Sequence, residues 1–93
     1  MLVHGTMRLV ARQGLTLREE SDDHALLFDP DTGEARALTP VALFCWQRLD
    51  GRHSVAEILT LIQDHFAAVP LEVEQDVHEF LQELLTLELA RAT

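Results

Sequence analysis

Leu38–Gly51 reads LTPVALFCWQRLDG, and the change of pattern inside this stretch decides the fold. Thr39-Pro40 is a helix start. A threonine oxygen accepts a bond from a free N–H of the first turn, and proline suits the first helical position because no donor is needed there. From Val41 to Asp50, the residues Ala42, Cys45, Trp46 and Leu49 share one side of a helix, and Gly51 stands where a C-terminal cap is wanted. Upstream the period is different. Gly14 to Ser21 alternates, with Leu15 and Leu17 on one face and Thr16, Arg18 and Glu20 on the other, which is a strand pattern. His24 to Phe28 is a second short apolar run, Asp29-Pro30-Asp31-Thr32-Gly33 is dense in turn formers, and Glu34 to Leu38 is a third short strand. Downstream, Ser54-Val55-Ala56-Glu57 has capping-box spacing and starts a second helix with Val55, Ile58, Leu59, Ile62 and Phe66 inward. Pro70 marks a break. A third helix follows from Leu71, lined by Val73, Val77, Phe80, Leu81 and Leu84, with Glu72, Glu74 and Asp76 in its first turns, where the helix dipole favours anions.

The expected plan is therefore α+β: a three-stranded antiparallel sheet followed by three helices, resembling a winged helix-turn-helix. Residues 14–89 carry it. Residues 1–13 are expected as a flexible arm and residues 90–93 as a frayed tail.

Length and charge narrow the function. Ninety-three residues make one small domain, too short for an ordinary enzyme core with a cleft. The formal charge is −9, from 7 basic against 16 acidic residues, and every basic residue is Arg. That balance opposes nucleic acid, whose binders need basic patches, and opposes an anionic membrane surface. The third helix makes the point locally. A DNA-reading helix needs positive charge, and this one carries Glu72, Glu74, Asp76, Glu79, Glu83 and Glu88. Such a face suits a basic partner instead. Residues 1–13 hold no apolar stretch of signal-peptide length, and no run approaches a membrane span, so a cytoplasmic setting is expected.

Catalytic and metal readings find little support. Cys45 is the single cysteine, so no internal disulfide or cysteine-rich zinc site is open to the chain. It has no histidine at catalytic spacing and reads as a small buried hydrophobe, with Trp46 beside it as a core anchor. His4, His24, His53, His65 and His78 are scattered without a metal-binding motif. Asp22-Asp23-His24 reads as an exposed turn. Asp29, Asp31 and Gly33 echo a calcium loop but have Glu34 and Pro40 where that loop needs Gly and Glu. No enzyme activity, cofactor or metal is expected.

The motif residues together resemble the PqqD-like family. Its first helix reads approximately L-N-P-x-A-x-x-I-W-x-x-L-D-G, and Pro40, Ala42, Trp46, Leu49, Asp50 and Gly51 match in register. Ser54 to Ile58, SVAEI, is similar to the family's T-V-x-E-I, and Val73 to Leu81, VEQDVHEFL, to its V-E-x-D-V-x-x-F-L. LREES and HALLFDP fit its opening hairpin, so the resemblance covers about residues 14–89. It implies a recognition element, or peptide chaperone, for ribosomally made peptides that are later modified. The leader of the precursor adds as a strand beside the third strand, in the groove against the third helix. It is then presented to a modifying enzyme such as a radical-SAM enzyme, a cyclase or a leader peptidase. Main-chain bonds supply affinity in that mode, and pockets for alternate side chains supply specificity.

On this resemblance the expected peptide contacts are Arg36, Ala37 and Leu38 on the strand and Val73, Asp76, Val77 and Phe80 on the helix. The chain departs from the family at Arg36, where an apolar residue is usual. Arg36 either meets an acidic leader side chain, pairs with Glu72 or Asp76, or faces water. It departs again at Glu88-Leu89, where the family closes the third helix with Gly-Leu, so a longer helix is expected. The alternative function is a scaffold or regulatory module that docks on an enzyme without a leader peptide. Monomer and homodimer both remain open, because a short edge strand can pair between copies.

Overall fold

The computed structural model describes residues 3–21, 24–69 and 71–93. The expected Asp22-Asp23 turn and the Pro70 break lie outside them. In chain order the elements are β1 (Arg8–Ala11), β2 (Thr16–Glu19), β3 (Ala25–Phe28), β4 (Ala35–Leu38), α1 (Pro40–Trp46), β5 (Asp50–Ser54), α2 (Val55–His65), α3 (Val73–Thr86) and β6 (Ala90–Ala92).

The three expected strands form the antiparallel sheet β2-β3-β4, followed by the three expected helices. The turn between β3 and β4 closes as its composition demands. Gly33 takes φ 77 and donates to the Asp29 carbonyl at 2.8 Å. The Asp29 carboxylate accepts from the Asp31 N–H at 2.9 Å and from Arg12 at 2.7 Å. The Arg12 guanidinium holds the Asp29 carboxyl below its ordinary range, against a smaller upward push from burial.

The helix starts follow the sequence signals. Thr39 Oγ1 accepts from the Ala42 N–H at 3.2 Å. Ser54 and Glu57 form a complete capping box, with Ser54 N–H to Glu57 Oε1 at 2.9 Å and Glu57 N–H to Ser54 Oγ at 3.1 Å.

The segments expected as a loose arm and a frayed tail instead hold β1 and β6. β1 pairs with β6 on one side and with β5 on the other, in a second sheet of order β5-β1-β6. The reason is burial. Met7, Leu9 and Ala90 sit in the main core, and backbone that carries them inward must find hydrogen-bond partners. This sheet also shortens α1. The helix ends at Trp46, and the chain tightens through i→i−3 bonds from Arg48 to Cys45 and from Leu49 to Trp46. Gly51 is consequently no helix cap. It lies in β5 at φ 78, beside the register shift of β1 against β5, and a Cβ there would stand 3.4 Å from Thr93 Cγ2.

Two apolar clusters result. The larger gathers Phe44, Cys45, Val55, Ile58, Ile62, Val77, Leu81 and Leu84 from the helices with Leu9 from β1. The smaller lies under the meander, where Ala25, Leu27 and Leu38 meet Leu43 of α1. Trp46 and Phe80 are half-buried and touch both. Each fully buried leucine or isoleucine contributes about 1.5–3 kcal/mol relative to exposure.

The third helix ends earlier than expected. Past Thr86 the Leu89 N–H reaches the Leu84 carbonyl at 2.8 Å and the Glu88 N–H reaches Leu85 at 3.1 Å. This is a Schellman closure with Glu88, at φ 59, in the left-handed position that glycine favours.

Candidate peptide-binding groove

β4 pairs with β3 on one side only, so its other side is a sheet edge. Its register decides which backbone groups lie there. Asp29 donates to the Glu34 carbonyl at 2.9 Å, and the Cα partners run Phe28 with Ala35, Leu27 with Arg36, Leu26 with Ala37 and Ala25 with Leu38. Hydrogen-bonded and non-bonded pairs alternate along an antiparallel ladder. Arg36 and Leu38 therefore bond to β3, while the N–H and C=O of Ala35 and Ala37 point to the open edge. The β2 side agrees, because Glu20 donates to the His24 carbonyl at 3.0 Å and the same alternation hands Leu26 and Phe28 to β2.

A groove of about 330 Å³ borders this edge. Arg36 and Ala37 of β4 form one wall. Thr39, Val41, Ala42 and Cys45, at the start of and along α1, form the floor. Val73, Asp76, Val77, Phe80 and Glu83 of α3 form the other wall. The C-terminal end of β4 lies by the N-terminal half of α3, so the two walls run antiparallel. Seven of the eleven lining residues are apolar. A larger depression of about 790 Å³ lies over β1, β6 and the end of α3, where Arg12, Gln13, Gln82, Thr86, Glu88 and Arg91 mix with apolar residues such as Val10 and Leu85.

Six of the seven expected contact residues line the groove: Arg36, Ala37, Val73, Asp76, Val77 and Phe80. Leu38 is separated from them. Its side chain is 1% exposed, in the core under the meander, and its backbone bonds to β3. Val73 and Val77 are also mainly core, with only their edges reaching the groove, whereas Phe80 is half-buried. Arg36 does not pair with Glu72 or Asp76. Its guanidinium spans the groove to the carboxylate of Glu83 on α3. Val41, Ala42, Cys45 and Glu83 are groove residues that helical periodicity assigned to core or to solvent. The fourfold spacing of Val41 and Cys45 hints at a shared stripe, but only the packing of α1 beneath the β4 edge says what that stripe faces.

Cys45 is fully buried, and the loss of water pushes its thiol up to about 12, with a small opposing pull from Arg48. A thiol held there stays protonated and is a poor nucleophile. Among the described residues no group of three or more His, Cys, Asp or Glu is placed to hold a metal ion. No helix among them is long and apolar enough to cross a membrane.

The chain is similar to known proteins in two respects. A solved structure, TbiB1 in complex with the TbiA(beta) leader peptide, shares its fold with a TM-score of 0.68 at 24% identity, covering 88% of this chain and 94% of that one. No curated protein matches the sequence. The family model for coenzyme PQQ synthesis protein D (PqqD) matches residues 24–90, from the start of β3 through all three helices to the first residue of β6. With that match running over more than two thirds of its length, the chain belongs to the PqqD family.

Proposed function

We propose that this protein binds the leader of a ribosomally synthesised precursor peptide as an added strand on β4, and presents it to a modifying enzyme without catalysing a reaction itself. The observation that carries this reading is the open edge of Ala35 and Ala37 standing over an apolar groove. An extended peptide completes such an edge with main-chain bonds, while its alternate side chains enter the groove. Membership of the PqqD family supports the reading, as does the shared fold with TbiB1, which is solved with a leader peptide. The edge is four residues long, which limits unwanted pairing between copies. On the outward side of α3, Glu72, Glu74 and Glu79 offer a negative face to a basic surface on the modifying enzyme.

An NMR titration with the leader of a precursor peptide encoded beside this chain tests the proposal. Shifts concentrated in residues 34–39 and 73–84 support it. Absence of binding at high micromolar peptide refutes it and favours a scaffold that docks on an enzyme directly.

A further inference from the structure

Two cavities meet at Arg36. One is the groove of about 330 Å³ by the C-terminal end of β4. The other, of about 460 Å³, lies at the opposite end of the strand, where Leu15, Leu27, Leu87 and Leu89 meet a polar rim that includes the Arg12–Asp29 pair. Arg36 lines both, and its ion pair with Glu83 reaches from β4 to α3. The pair is thus a polar partition between an apolar groove on one side and, on the other, a cavity in which four leucines are rimmed by Arg12, Asp29, Thr32, Glu34 and Glu88.

Strand geometry converts this partition into a sequence rule. Arg36 spends its own N–H and C=O on β3. A strand added antiparallel at the open edge therefore meets Arg36 in a non-hydrogen-bonded pair, the kind in which facing Cα atoms approach to about 4.5 Å and side chains lie closest. Side chains on one face recur every second residue, about 6.6–6.8 Å apart. The ligand residue facing Arg36 lies over the partition. The residues two before and two after it face Leu38 and Glu34, and so stand over the two cavities.

The central side chain must suit a guanidinium. Arg36 directs one N–H group to Glu83, and an arginine has five such donors in all. A carboxylate accepts from the remainder, whereas a lysine or arginine would set like charges against each other in the closest kind of cross-strand pair. The net charge of −9 acts at long range on the whole ligand, so the acidic residue is a local feature of a peptide otherwise neutral or basic.

We propose that the groove and this cavity together select the pattern apolar-x-acidic-x-apolar. The two apolar side chains fill the cavities on either side of the Arg36–Glu83 pair, and the acidic one accepts from Arg36. This rests on the reading of β4 as a strand-adding edge.

The test is selection of displayed random peptides of about ten residues, the upper length of common strands. Both the wild type and the charge-swapped double variant Arg36→Glu/Glu83→Arg are used as bait. The best wild-type peptide is then resynthesised with Glu, Gln or Lys at its centre and titrated by fluorescence anisotropy and NMR. The expected result is an acidic centre flanked by apolar residues for the wild type and a basic centre for the swap, with Glu to Lys costing the wild type about tenfold in affinity. Peptides that shift the Ala35 and Ala37 amides but bind equally with Glu or Lys overturn the pattern and leave strand addition intact. Peptides that bind without shifting those amides overturn both. The wild-type Glu, Gln and Lys series decides the matter even if the swapped variant does not fold.

Discussion

Ala37 and Arg36 are neighbours on β4 whose N–H groups point in opposite directions, and this gives a sharp test of the groove. Proline at position 37 removes an N–H that faces the open edge; proline at position 36 removes one that bonds to Leu27. The costs should differ accordingly. Ala37→Pro loses no sheet bond, keeps the extended backbone that proline prefers on an edge strand, and should change folding stability by less than about 1 kcal/mol. Arg36→Pro loses a ladder bond worth about 0.5–1.5 kcal/mol. It also leaves the carbonyl of Leu27, a residue only 3% exposed, without its donor, for a total of about 2–4 kcal/mol. Binding should show the reverse logic. An added strand loses its bond to the Ala37 N–H and keeps a carbonyl that nothing satisfies, so Ala37→Pro should weaken a leader peptide about tenfold or more. Urea denaturation measures the first pair of effects, and peptide titration of the folded Ala37→Pro variant measures the second. Unchanged affinity would refute strand addition at this edge. Equal destabilisation by the two prolines would refute the register on which the reasoning stands.

Other perturbations probe the groove and its supports. Phe80→Ala removes a half-buried ring that touches both clusters and the groove wall; it should destabilise by about 1–2 kcal/mol, less than a fully buried phenylalanine, and weaken peptide binding while the domain stays folded, as circular dichroism and titration can check. Glu88→Gly relieves a left-handed backbone at φ 59 in the closure of α3 and should stabilise by about 1 kcal/mol, seen as a raised Tm; an unchanged or lowered Tm would count against strain at that position. Asp50 accepts from the Arg52 N–H and from His53, which lowers its carboxyl from 3.8 to about 2. Its contribution is thus fully present above 3.8 and is lost as pH falls through about 2, so Asp50→Asn should flatten the fall of Tm across that window; identical acid profiles would show that these bonds are not felt.

Several features were legible because their causes are local. The caps at Thr39 and Ser54 need only residues within three positions of one another, and the turn from Asp29 to Gly33 closes on itself. The apolar stripe of α3 is visible for the same reason. The second sheet was not legible. Leu9 pairs with Ala92 and Val10 with Asp50, and strands of three to five residues separated by such lengths of chain carry too little pattern to announce each other. Gly51 misled for a related reason. A glycine after a helical run is a natural cap, yet its left-handed backbone serves a strand pairing that begins at the other end of the chain.

By itself the sequence determined the meander, the order of three helices, the acidic net charge and, through its motif residues, the PqqD resemblance. All of these rest on neighbours along the chain or on composition. Only the tertiary structure decided that Leu38 belongs to the core, that Val41 and Cys45 floor the groove, and that Arg36 reaches Glu83 across it. The physical reason is that an alternating strand and a periodic helix say which side chains share a face, but not which other element that face will meet. Arg36 and Glu83 lie 47 positions apart, and their contact exists because α3 packs beside the β4 edge of the meander.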